Sequence, residues 1–153
     1  MSARTKARKR ALDILFESDL RGLDTGATLA ERQDAIAALN SYTVTLVEGV
    51  AAHRAEIDGL LGSYSEDWPV DRMPVVDRNL LRIGVFEIRY VEEVPDAVAM
   101  SEAVSLAKEL STDDSPAFIN GLLARIAGLA PIETSAQGST DDEIQEVEAR
   151  THS

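Results

Sequence analysis

Apolar residues recur every three or four positions along most of the chain, and no stretch alternates with the period of two that a strand requires. The pattern predicts an all-α protein with six helices. The first covers about residues 6–20 and stops before Gly22-Leu23-Asp24-Thr25-Gly26. Thr28 followed by Glu31 reads as a capping box for a short second helix running through Leu39. Ser41 is positioned to cap a long third helix with Leu46, Val50, Ile57, Leu60 and Leu61 on its apolar stripe. A connection containing Trp68-Pro69 follows, and Pro74 suits the first position of a fourth helix that reaches Tyr90. Between Leu80 and Ile88 that helix is apolar around most of its circumference, which predicts a central place in a bundle with Arg78 and Arg82 on an outer strip. Pro95 marks a break before a fifth helix over about residues 99–110. Asp114-Ser115-Pro116 then opens a sixth, ending near Gly128. Beyond Pro131 the composition turns to Ser, Thr, Gly, Gln and acids, so residues 1–132 read as one helical domain and 133–153 as a disordered acidic tail.

Charge changes this picture at one end. The chain carries 27 acids against 15 Lys and Arg, for a formal net charge of -12. Yet Arg4, Lys6, Arg8, Lys9 and Arg10 crowd the start of the first helix with no acid among them. Positive charge there opposes the helix macrodipole, so these side chains contribute little to helix stability. It also lies where free backbone N–H groups welcome an anion. A basic patch on an acidic body points to a polyanion such as RNA, and a frayed, solvated terminus is the competing reading.

Other classes fall away. No apolar run approaches the roughly 18 residues of a membrane span. Asp13, Glu17 and Asp19 in the first helix argue against a transit peptide, and the absence of cysteine suits a cytoplasmic protein. His53 and His152 lack metal-ligand spacing, no phosphate-binding glycine loop or nucleophile elbow occurs, and Asp113-Asp114 reads as helix capping. No enzyme activity, cofactor or metal is expected.

Binding chemistry is better represented. Single-stranded RNA is held by stacking on aromatics while Lys and Arg contact the backbone. Phe16 follows the basic cluster along the same helix, and Phe118 lies one turn into the sixth; each is either core packing or a stacking surface. Asn120, an amide within Phe118-Ile119-Asn120-Gly121-Leu122-Leu123, either bonds backbone inside the bundle or reads a base edge.

Four ordered segments, ARKRALDILFESDL from Ala7, DRNLLRIGVFEI from Asp77, SEAVSLAKEL from Ser101 and DDSPAFINGLLARI from Asp113, together resemble the NusB family of transcription antitermination factors. The resemblance covers about residues 4 to 130. It implies a compact fold of two small helical bundles packed together. It further implies binding to the boxA element of ribosomal RNA leader transcripts with NusE, a small-subunit ribosomal protein, within an RNA polymerase antitermination complex. Matched by position, the implied RNA surface comprises Arg4, Lys6, Arg8, Phe16, Asp114 and Phe118, with Lys9 and Arg10 as additional charge. The implied NusE surface comprises Tyr64, Asp71, Asp77 and Arg78. Phe16 stands where some relatives have Tyr, and Ala117 where some have a basic residue. The acidic tail is an addition to the pattern.

Two rivals follow from the same resemblance. One is an RNA-targeting module like those fused to ribosomal RNA cytosine methyltransferases, although no cofactor-binding motif is present. The other is a protein-interaction or ribosome-assembly module whose RNA face is occluded, as a homodimer covering the first helix would do.

Overall fold

The computed structural model describes residues 2–35, 39–66 and 68–129, without the side chains of residues 34 and 35; the predicted tail lies outside these residues. Among the described residues there are seven α-helices and no strand. They are α1 (Ala3–Arg21), α2 (Thr25–Ala35), α3 (Ser41–Ala52), α4 (Arg54–Tyr64), α5 (Val75–Tyr90), α6 (Asp96–Leu110) and α7 (Ser115–Ala127), with a single 3-10 turn at Val70–Arg72. Helices α1, α2 and α3 pack on one another, and α4 to α7 form a second group. Helix α5 belongs to the second group and also touches α1 and α3, so it holds the two bundles together.

The central place of α5 follows from its composition. Asp77 and every residue from Asn79 to Glu87 are buried. Two glycines permit close approach to it. A Cβ at Gly49 on α3 would lie 2.1 Å from the Phe86 ring, and one at Gly84 would lie 2.8 Å from Leu123 of α7. Interiors are packed too densely to absorb either addition without movement. At the end of α1, Gly22 adopts φ 65, and the Gly22 and Leu23 amides close the helix on the Asp19 and Ser18 carbonyls.

Local details depart from the sequence expectation. The long third helix is two helices, broken at His53, where φ -110 and ψ 21 end α3 and begin α4. The apolar stripe runs through the break, so periodicity alone conceals it. The His53 ring stacks on Tyr90 with centroids 4.0 Å apart, which fixes the corner against α5. Helix α2 begins at Thr25 because the Asp24 carboxylate accepts from the Ala27 amide at 3.0 Å; Thr28, assigned the capping role from sequence, is buried. Asn40, not Ser41, caps α3, accepting from the Tyr42 amide at 2.7 Å. Asp114 precedes α7 without a side-chain capping bond, which corrects the capping role expected of it.

Candidate nucleic-acid interface

Helix α1 starts where Ser2 accepts from the Thr5 amide at 3.0 Å, and its first two turns carry the basic cluster. The fold sorts those cations into three kinds. Lys6 and Arg10 are exposed and have no ion pair among the described residues. Arg4 and Lys9 are partly exposed and paired, Arg4 with Glu93 at 3.3 Å and Lys9 with Glu109 at 2.5 Å. The Arg4 guanidinium also lies 3.9 Å from the centroid of the Tyr42 ring.

Arg8 is different. It is 4 % exposed, and its Nε donates to both carboxylate oxygens of Glu87 at 3.0 and 2.9 Å while Nη1 donates to Glu102 at 3.3 Å. The Tyr42 hydroxyl also donates to Glu87; burial and this carboxylate push its pKa up and keep it a donor. Arg8 is therefore a buried structural cation, which corrects its assignment as a free phosphate contact and the view that these charges contribute little to stability. The reason is register: Arg8 precedes Ala11 and Leu12 by one turn and shares their inward face. Helical spacing, together with an acid, Glu87, inside the apolar run of α5, was the available signal.

The aromatic candidates lie near the surface. Phe16 is half-buried. Phe118 packs partly on the core and meets Trp68 edge to face, with ring centroids 5.1 Å apart at 63°. Asp114 and Asn120 are exposed, and Asn120 makes no side-chain hydrogen bond among the described residues. The internal alternative for Asn120 is thereby removed, because Ile119, Leu122 and Leu123 turn inward and leave it on the outer face.

The expected partner surface is redistributed. Asp71 is exposed and Tyr64 half-buried at the end of α4. Asp77, however, is 1 % exposed and accepts from the Ser111 and Ser115 hydroxyls at 2.5 and 2.8 Å. It ties the start of α5 to the α6–α7 connection, which corrects its assignment as a surface acid. Arg78 donates through Nε and Nη2 to Asp19 at 2.7 and 2.8 Å. Arg82 lies between Asp19 and Asp58, with nitrogen–oxygen distances of 3.0 and 2.9 Å, and is 4 % exposed. The outer strip proposed for these two arginines is thus a partly buried ionic seam joining α1, α4 and α5. Burial alone would raise the Asp19 pKa, but hydrogen bonds from Arg78 and Asn79 and the nearby guanidinium charges hold it at about 2.

Among the described residues no helix is long and apolar enough to cross a membrane, and no group of His, Cys, Asp or Glu could hold a metal ion. A family model described as the NusB family matches residues 5–128. A transcription antitermination protein NusB from a Nocardioides species is 57% identical over 132 residues, covering 86% of this chain and 98% of that protein. The structure of T. maritima NusB aligns with a TM-score of 0.75 and 31% identity over 82% of this chain and 91% of the other. A structure of antitermination factors NusB and NusE in complex with dsRNA contains a chain that aligns with a TM-score of 0.71 and 29% identity, over 81% of this chain and 95% of that one.

Proposed function

Because the chain belongs to the NusB family, we propose that it is a non-enzymatic transcription antitermination adaptor that binds boxA RNA together with NusE in the cytoplasm. In this reading it delivers the RNA to an antitermination complex of RNA polymerase. The observation that carries the RNA-binding part is the pair of exposed cations on the outer side of α1, Lys6 and Arg10, that have no ion pair among the described residues. Each offers charge to a phosphate without breaking an internal contact. Arg4 and Lys9 can add to them by exchanging an exposed carboxylate for a phosphate. Phe16 and Phe118 supply stacking surface, and Asn120 and Asp114 supply polar groups for base edges.

NusE, a ribosomal protein, fits the acidic remainder of the molecule, with Asp71 and Tyr64 as contact residues. Few phosphates are neutralised by so small a basic surface, so the chain alone binds RNA modestly and with strong salt dependence, and NusE strengthens the complex. The test is anisotropy of labelled single-stranded boxA RNA titrated with the full chain, with and without NusE. Unlabelled duplex and scrambled single strands serve as competitors. Tighter binding with NusE and displacement only by single-stranded boxA support the reading. Equal displacement by the scrambled strand, or no binding in either setting, would refute it.

A further inference from the structure

Trp68 is the only tryptophan in the chain, and it is 36% exposed on the connection between α4 and α5. Its ring and that of Phe118 meet edge to face, an arrangement that leaves ring faces uncovered by the pair itself. Beside them lies an open pocket of about 360 Å³ lined by Trp68, Phe118, Glu66 and Arg125. Phe118 and Arg125 are seven residues apart on α7 and therefore share a face. Gly121 stands between them on that face, and a Cβ there would meet nothing within 4 Å, so the helix surface is open at this point. Arg125 is exposed and has no ion pair among the described residues.

We propose that this pocket is a nucleotide subsite that takes one unpaired base of single-stranded RNA. The inference rests on the RNA-binding reading above and extends the RNA track past Phe118. The base stacks on the aromatic pair, and the Arg125 guanidinium holds an adjoining phosphate. Glu66 makes the subsite selective. Its carboxylate repels a phosphate but accepts from an exocyclic amino group, which cytosine, adenine and guanine carry and uracil lacks. The subsite thus favours an amino-bearing base over uracil.

Trp68 provides the readout. A short labelled single-stranded RNA is titrated into the full chain while label anisotropy and tryptophan emission are followed together, with Trp68→Phe as the blank. Emission changes with the same midpoint as anisotropy, and more weakly for an all-uridine strand, are expected. Trp68→Ala lowers affinity roughly 5- to 150-fold, the range for loss of one stacked base. Arg125→Ala makes the slope of log affinity against log salt shallower by about 0.7. Gly121→Leu fills the open face and weakens RNA binding severalfold with an unlowered melting temperature, since Leu favours the helix. RNA binding with unchanged Trp68 emission and unaltered affinity in Trp68→Ala and Gly121→Leu overturns the subsite and leaves the adaptor reading standing. Absence of RNA binding overturns both. Loss of NusE affinity in Trp68→Ala with unaltered RNA affinity would identify the pocket as a protein contact and overturn the subsite.

Discussion

The inward and outward faces of α1 carry the same kind of side chain to opposite ends. Arg8 and Arg10 are two residues apart, and one is enclosed by Glu87 and Glu102 while the other is exposed without an ion pair among the described residues. A similar contrast separates Asp77, enclosed by two serine hydroxyls, from exposed Asp71. Formal charge therefore measures recognition only after the fold has removed the charges it uses itself. Of the five N-terminal cations, Lys6 and Arg10 are available to a ligand without cost to any pair among the described residues.

The largest effects should come from breaking the enclosed groups. Arg8→Ala strands the Glu87 carboxylate in the core and should cost about 3–5 kcal/mol of stability, measured by chemical denaturation. Asp77→Lys places a cation against two hydroxyls in a buried site and should cost about 3 kcal/mol or more. Asp71→Lys should change stability by less than about 0.5 kcal/mol while weakening NusE binding, since its exposed carboxylate makes no hydrogen bond or ion pair among the described residues. If Arg8→Ala and Arg10→Ala shift the melting temperature equally, the distinction between the two faces fails.

Acid should act through the enclosed side as well. Asp19 has its pKa depressed from 3.8 to about 2. The stabilisation it provides is fully present above the unfolded value and is lost as pH falls through the folded one. Melting temperature should therefore drop between about pH 4 and pH 2. Asp19→Asn should flatten that part of the profile at the cost of a lower plateau.

The smallest structural effect belongs to the outward face. Lys6→Ala with Arg10→Ala should leave the melting temperature within the change typical of surface substitutions, about 0.5 kcal/mol. RNA affinity should fall, and its salt slope should decrease by about 1.4 if both side chains neutralise a phosphate of a single strand. An unchanged slope would remove them from the interface.

Periodicity and breakers made the helical architecture legible, including the central position of α5 between Pro74 and Val91. What escaped was the role of ionic groups inside apolar stretches. Arg78 and Arg82 were assigned to an outer strip because side-chain length and charge suggest solvent, yet each has a partner from a helix far away in sequence. Such pairings depend on which helices meet, and one-dimensional spacing does not encode that. The break at His53 was hidden for a related reason: both helices keep the same apolar phase. The aromatic part of the candidate site was half legible. Phe118 was readable from its segment, but its contact with Trp68 arises only when the α4–α5 connection folds over α7.

The two ionic ties on α1, one buried and one partly buried, also bear on the entropy of recognition. Arg8 anchors the helix near its start and Asp19 near its end, eleven residues or about 16 Å along the axis. To roll about its axis or slide along the bundle, α1 would have to rupture both at once. Lys6 and Arg10 are thus mounted on a rail of fixed orientation, about 6 Å apart along the axis, before any ligand arrives. A flexible basic tail would lose backbone freedom on binding; here that loss has already occurred during folding, and the remaining cost falls on two side chains and on the RNA.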